Sequence, residues 1–226
     1  MLAGGGGSRV GAGLNKVYLP LAGLPVVSWS LRWVRAVGGI GPVVLVVRPE
    51  DEERAAETLD RETHGQQVAV VRGGATRHES EHNALRHLAP AIRAGSVDVV
   101  AIHDGARPVA GPGVFRTVVD AARRSGGAIP SLPAGDVVAA SSPDAGRSVP
   151  IRAQTPQAFL AAPLLDAYEL ATRDGYEGSD TACTVERYAR LRIRCVPGDP
   201  RNIKITFAQD LLLAERLLQA ADYRLE

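Results

Sequence analysis

An alternation constrains this chain more than any other feature. Short runs rich in branched aliphatic residues, Val43–Val47, Val68–Val71 and Val97–Ile102, alternate with stretches long enough for helices, Pro25–Val37, Glu50–Asp60 and Thr76–Leu88. Unbroken Val/Ile runs suit strands covered on both faces. Their alternation with helices predicts a mostly parallel, doubly wound, Rossmann-like α/β sheet. Pro25 is expected in the first turn of its helix, and Gly38-Gly39 just past the end of it. With 226 residues the chain can bury a substantial core, and 1–226 is expected to form one domain.

The pattern changes near Asp136. Two short candidate strands, Val137–Ala140 and Ser148–Ala153, flank the turn-like Ser141-Ser142-Pro143-Asp144-Ala145-Gly146, which predicts a β-hairpin arm at about 136–153. Helical spacing resumes at Ala162–Thr172, Asp180–Ala189 and Ala208–Ala221, with a strand at Leu191–Val196 before the last helix.

Composition excludes several classes. A net charge of +1 gives no basic field for nucleic acid. No run of ~18 apolar residues offers a membrane span, and Met1-Leu2-Ala3 leaves no room for a secretory signal before the first motif. Two cysteines, Cys183 and Cys195, fit reduced thiols in a cytoplasm better than a disulfide framework.

Four segments carry candidate chemistry. Gly4-Gly5-Gly6-Gly7-Ser8-Arg9, followed by Asn15-Lys16, can form a nest of backbone N–H groups for phosphates, with Arg9 and Lys16 adding charge. It is not a Walker A loop, because no Gly-Lys-Ser/Thr follows. The strand feeding it is only Met1-Leu2-Ala3, short of the ~5 residues usual for a central strand, so it is expected to be clipped or to start upstream. Gly73-Gly74-Ala75-Thr76-Arg77-His78-Glu79-Ser80 follows a strand and opens a helix, where an anion or a base edge meets N-terminal amides. The same stretch matches H-E-x-x-H, but Leu88 sits where an extended zinc pattern places a third histidine, and a solvated helix face is expected instead.

His103-Asp104-Gly105-Ala106-Arg107-Pro108 ends a strand, where ligands of open α/β sheets gather, and one carboxylate there suits Mg²⁺. His103 is expected to be a packed or hydrogen-bonded group. In Asn202-Ile203-Lys204-Ile205-Thr206 the lysine must point opposite its apolar neighbours, into solvent or into a polar site.

Together these residues resemble the 2-C-methyl-D-erythritol 4-phosphate cytidylyltransferase family. The likeness runs in order through Gly-x-Gly-x-Arg, Lys16 before Tyr18-Leu19, Gly-Gly-x-x-Arg-x-x-Ser, His-Asp-x-Ala-Arg-Pro, Gln154-Thr155-Pro156-Gln157-x-Phe159 and Asn-Ile-Lys-Ile-Thr. The resemblance implies a nucleotidyltransferase that joins CMP from CTP to a small phosphorylated polyol and releases pyrophosphate. It assigns Arg9, Lys16 and Lys204 to charge on the α-phosphate and Asp104 to Mg²⁺. It places Ala3, Gly4, Gly5, Gly7, Gly74 and Ser80 around the nucleotide, and Arg107 and Arg147 near the acceptor phosphate. It further implies a homodimer in which each arm reaches into the other subunit's site.

The chain departs from the family pattern in places. Asn15 replaces a usual Pro and Val17 a usual Gln, and Val137-Val138-Ala139 lacks a usual Thr and Lys. Arg201 stands where some members carry an acid. Glu81 replaces a usual Val, and Thr181 stands where the family has Asp or Glu. Two alternatives stay open on these grounds: a cytidylyltransferase for another polyol phosphate, such as ribitol 5-phosphate, or a non-catalytic nucleotide-binding paralogue.

Overall fold

The structure is a computed structural model that describes residues 1–5, 14–62, 67–134 and 150–220. A small hairpin, β1 (Pro20–Leu21) with β2 (Leu24–Pro25), leads into α1 (Val26–Val37). Pro25 is thus the residue before the helix rather than its first turn, and Gly38 ends the helix at φ 71°. Then come β3 (Val43–Val47), α2 (Glu52–Glu62), β4 (Val68–Arg72), α3 (Arg77–Arg93), β5 (Val99–Ile102) and α4 (Gly111–Ser125). The chain continues through β6 (Gly126–Pro133), β7 (Ile151–Ala153), β8 (Gln157–Leu160), α5 (Ala161–Arg173), α6 (Thr181–Tyr188), β9 (Arg192–Pro197) and α7 (Ala208–Ala220).

β3 and β4 pair in parallel, as do β6 and β9. β8 runs antiparallel between β5 and β6. The two halves meet at the N-terminal segment, where Leu2 bridges in parallel to Val46 on one side and Asp104 on the other. The resulting order is β4, β3, the 1–3 segment, β5, β8, β6 and β9, mostly parallel as expected. All five residues of β3 are buried, because helices cover both faces of the sheet. Val26, Trp29, Ala55, Phe115 and Leu218 form the core on the face of α1, α2, α4 and α7. Leu85, Leu88, Leu164, Tyr168 and Val185 form it under α3, α5 and α6.

The hairpin expected at 136–153 is described only at its base. There β7 pairs antiparallel with the end of β6, Ser131 opposite Ala153 and Pro133 opposite Ile151. The expected strand Val137–Ala140 and the turn after it lie outside the described residues. β6 itself was not foreseen, since Gly126-Gly127 and Pro130 read as turn signals. Here the glycine is a packing requirement: a Cβ on Gly127 would lie 2.6 Å from the Phe159 ring. Phe159 is fully buried, so the ring has nowhere cheap to go. Gly127→Ala is expected to destabilise the fold by about 1–3 kcal/mol through overpacking. The check is a urea titration in which the midpoint falls and the slope stays constant.

Candidate active site

The strand ends set the position of the site. Ala3, Val47, Arg72 and Ile102 all finish at the carboxyl edge of the parallel strands, and the loops that follow them converge there. Asp104 follows β5 with only 6% of its surface exposed. Its backbone N–H donates to Thr155 Oγ1 at 3.0 Å. Its carboxylate meets an Arg77 guanidinium nitrogen at 2.6 Å and Lys204 Nζ at 2.8 Å, with Arg107 Nε at 3.8 Å. Burial alone would raise this carboxyl, but Arg77 and Lys204 outweigh it and hold it far below the ordinary carboxylate range. An ionised acid enclosed by three cations is therefore fixed at the mouth of the central strand.

Each cation comes from a different part of the chain. Arg77 projects from the first turn of α3, which Thr76 caps by accepting from Glu79 N–H at 3.2 Å. Arg107 lies in the same turn as Asp104, and its guanidinium is anchored by donating to the Asn202 carbonyl at 2.7 Å. Residues 202–206 form no ladder strand, although the alternation holds. Ile205 is fully buried and its N–H donates to Ala106 O at 2.8 Å, while Lys204 turns the other way. The question left by the sequence is answered: Lys204 points into a polar site.

The glycine loop is tied down at both described ends. Asn15 is buried, and its side-chain N–H₂ donates to Ala3 O at 2.7 Å and to Asp51 at 2.8 Å. Asp51 is in turn held by Arg48 at 2.7 Å. The Asn that replaces a usual Pro thus clamps the exit of the loop to the end of the central strand, with buried Lys16 next in sequence. Gly4 and Gly5 lie at that strand end. Gly7 and Arg9, like Arg147, lie outside the described residues.

Gly74 and Ser80 are brought together, with Gly74 N–H donating to Ser80 Oγ at 3.0 Å. A Cβ on Gly74 would sit 2.2 Å from the Glu79 side chain, so only glycine fits. The Ser80 hydroxyl proton remains available to a ligand, because the oxygen is the acceptor in that bond.

The expected solvated H-E-x-x-H face is a correction. His78 and Glu81 are buried, because α3 packs this side against α5 and α6 rather than turning it to water. His78 stacks on Tyr168 with 4.5 Å between ring centroids, and burial lowers the pKa of both His78 and His82. Among the described residues no three His, Cys, Asp or Glu side chains are grouped as metal ligands.

Two departures meet here. Glu81 accepts from Thr181 Oγ1 at 3.1 Å and from the Tyr168 hydroxyl, and it pairs with Arg77 Nε at 2.9 Å. The resemblance puts the acid at position 181 and an apolar residue at 81. In this chain the two departing positions, Glu81 of α3 and Thr181 of α6, touch each other. Burial raises the Glu81 carboxyl despite the opposing charge of Arg77.

His103 behaves as expected of a packed group. It is buried, its Nδ1 lies 3.2 Å from Thr155 Oγ1, and burial lowers its pKa to about 3, so it is neutral. Sequence reasoning missed Arg77, Thr155 and Asn202 as individual site residues. Asn202 donates to the Thr155 carbonyl at 2.9 Å, joining two motifs whose sequence separation hides the contact.

Comparison with known proteins agrees with this geometry. The family model of 2-C-methyl-D-erythritol 4-phosphate cytidylyltransferase matches residues 1–220. A protein of that name from Cereibacter sphaeroides is 38% identical, across 98% of this chain and 96% of its own length. Another from Pelotomaculum thermopropionicum is 37% identical, across 99% and 94%. A solved 2-C-methyl-D-erythritol 4-phosphate cytidylyltransferase from Thermus thermophilus superposes with TM-score 0.73 at 32% identity, covering 96% of both chains. A 4-diphosphocytidyl-2C-methyl-D-erythritol synthase from Anaerococcus prevotii gives TM-score 0.80 at 27% identity, across 96% and 95%. With its motifs gathered at one sheet edge and its length matched almost end to end, this chain belongs to the 2-C-methyl-D-erythritol 4-phosphate cytidylyltransferase family.

Proposed function

We propose that the chain is a single nucleotidyltransferase domain acting in the cytoplasm, which transfers CMP from CTP to 2-C-methyl-D-erythritol 4-phosphate. The observation that carries this reading is the buried Asp104 carboxylate, ringed by Arg77, Lys204 and Arg107 beside the glycine loop. That is a site for a polyanion approaching along strand ends and helix N-termini.

An acceptor phosphate oxygen attacks the α-phosphorus of CTP in line. The new P–O bond forms as the bond to the β-phosphate breaks, and pyrophosphate leaves with that electron pair. Such transfer needs positioning and charge stabilisation more than covalent help from the protein. Lys16, Lys204 and Arg9 stabilise the charge growing on the α-phosphate. Ala3, Gly4, Gly5, Gly7, Gly74 and Ser80 surround the nucleotide, and Arg107 lies toward the acceptor.

The donor set at Asp104 fits a divalent cation. Its carboxylate is ionised, and one of its partners, Lys204, is 40% exposed on a long side chain that can turn to a phosphate. Asp104 is the residue that would hold Mg²⁺, which when bound supplies charge neutralisation at the phosphate oxygens.

Three experiments test these assignments. Lys16→Ala and Arg9→Ala should each lower kcat by about 10²–10³-fold and change KM for CTP less. A raised KM with unchanged kcat removes the residue from the transition state. Asp104→Asn should abolish Mg²⁺-dependent turnover while circular dichroism still reports a folded protein, and an unaltered Mg²⁺ titration rejects the assignment. A pyrophosphate-release assay with CTP and several polyol phosphates, ribitol 5-phosphate included, identifies the acceptor, and silence with all of them points to the paralogue.

A fourth experiment concerns the arm, for which we propose a homodimer. A two-stranded hairpin is marginal alone in water, and Ile151 at its described base is exposed. An isologous dimer would let each arm serve the other subunit's site. Lys16→Ala and Arg147→Ala should then complement: a mixed dimer has one doubly defective site and one intact site. After random exchange of equal amounts, roughly a quarter of wild-type activity should return. No recovery after exchange verified by mass spectrometry rejects an arm acting in trans.

A further inference from the structure

A second buried carboxylate serves both ends of the glycine loop. Asp51 ends the 3₁₀ turn Pro49–Asp51 that follows β3, and it is fully buried. Its Oδ2 accepts from Asn15 Nδ2 at 2.8 Å and from Arg48 Nε at 2.7 Å, and its Oδ1 accepts from Arg48 Nη2 at 3.0 Å. Burial pushes this carboxyl up, but the bonds from Arg48 and Asn15 outweigh it and hold it below its ordinary value. The acceptor is therefore ionised, with both oxygens engaged inside the protein.

Entry and exit of the loop both lead to it. At the entry, a Cβ placed on Gly4 would stand 4.0 Å from Arg48 Cγ, so the arginine stem borders the chain as it leaves the central strand. At the exit, Asn15 has two amide hydrogens, one directed to Ala3 O at 2.7 Å and the other to Asp51. Turning this amide over would set its oxygen against two acceptors. The orientation is thereby fixed, with Asn15 Oδ1 facing the Val17 N–H at 3.4 Å. That N–H lies in the 3₁₀ turn Lys16–Tyr18, where Tyr18 N–H donates to Asn15 O at 3.0 Å and Leu19 N–H to Lys16 O at 3.2 Å. Asp51 thus orients Asn15, and Asn15 starts the turn that carries Lys16.

The backbone of Asn15 shows what these bonds maintain. Its φ of −62° is the value that a proline ring imposes, and among the described residues its N–H has no acceptor. An asparagine has no such ring, and left to itself it samples the extended, helical and left-handed regions. The side-chain bonds to Asp51 and Ala3 select one of them.

We propose that Asp51 is a positioning residue for the transfer reaction: acting through the Asn15 amide, it fixes the start of the Lys16 turn and so sets where the Lys16 ammonium stands. This rests on the charge-stabilising role of Lys16 proposed for the transfer. Being fully buried, Asp51 acts without touching substrate.

The test compares substitutions at the two positions. Asn15→Ala and Asp51→Ala should each lower kcat about tenfold and change KM for CTP less, since misplacing a catalytic group by about 1 Å can cost 10²-fold. Asn15→Pro, which holds φ by its ring, should recover most of the turnover lost in Asn15→Ala. Combined with Asn15→Pro, Asp51→Ala should then cost less than about twofold, whereas a merely structural carboxylate would cost the same in either background. Amide exchange reads the turn without turnover. Tyr18 and Leu19 N–H should exchange about tenfold faster in Asn15→Ala and Asp51→Ala, and near the parent rate in Asn15→Pro. The proposal is overturned by equal Asp51→Ala losses in both backgrounds, by Asn15→Pro as slow as Asn15→Ala, or by exchange at Tyr18 and Leu19 that Asp51→Ala leaves unaltered. Where Asp51→Ala does not fold, Asn15→Ala against Asn15→Pro decides by kcat and exchange alike. Absence of turnover in the parent protein rejects the proposed activity instead, and the exchange rates still decide the role of Asp51.

Discussion

The sheet holds together through three residues. β3 and β4 form one parallel pair, and β5, β8, β6 and β9 form a second group. Among the described residues only Met1–Ala3 lies between them, with Leu2 bonded to His103 and Gly105 on one side while Met1 and Ala3 bond to Val46 on the other. The same segment ends at Gly4, so the link that joins the halves also aims the glycine loop. Asn15 then returns from the far side of the loop and fastens to Ala3 O. Position of the loop and continuity of the sheet are therefore one constraint, and a weakened central strand would be felt at the phosphate site before it was felt in the outer helices.

Charge at the site follows from burial. A carboxylate as enclosed as Asp104 persists in its ionised form only with cations in contact, and three separate motifs supply them. Arg77 is shared: it spans Asp104 and Glu81, so the polar site is coupled to the interior between α3, α5 and α6. The acid that the resemblance places at 181 is found at 81, touching Thr181. Two departures that look unrelated in sequence thus meet in one contact, Glu81 with Thr181, beside Arg77.

Part of the architecture was legible because β3 is buried on both faces, whereas β4, whose Val run reads the same way, pairs on one side with β3 and leaves Val70 exposed. β3 could be read from Val43-Val44-Leu45-Val46-Val47 alone, and helices α1 to α3 from their spacing. β6 was illegible because its glycines and Pro130 are chosen by packing against Phe159 and by pairing with β9, neither visible locally. The H-E-x-x-H stretch misled in a different way. Its charged residues read as a wet face, whereas inside the protein Tyr168 and Thr181 donate to Glu81 and Thr184 meets His78 Nδ1. At the site, residues carried by short motifs were readable, but the contacts of Arg77 with Asp104 and of Asn202 with Thr155 join segments 27 and 47 residues apart.

Lys204 shows how such distant pieces acquire meaning. Its own segment allowed either solvent or a polar site, since alternation fixes only that it opposes Ile203 and Ile205. What decides is the burial of Ile205, whose N–H is fixed to Ala106 in the same turn that carries Asp104 and Arg107. An apolar side chain seated in the core thereby delivers an ammonium to a carboxylate 2.8 Å away. Position of the charge is thus a consequence of hydrophobic packing, and the ion pair refines an arrangement that the core has already imposed.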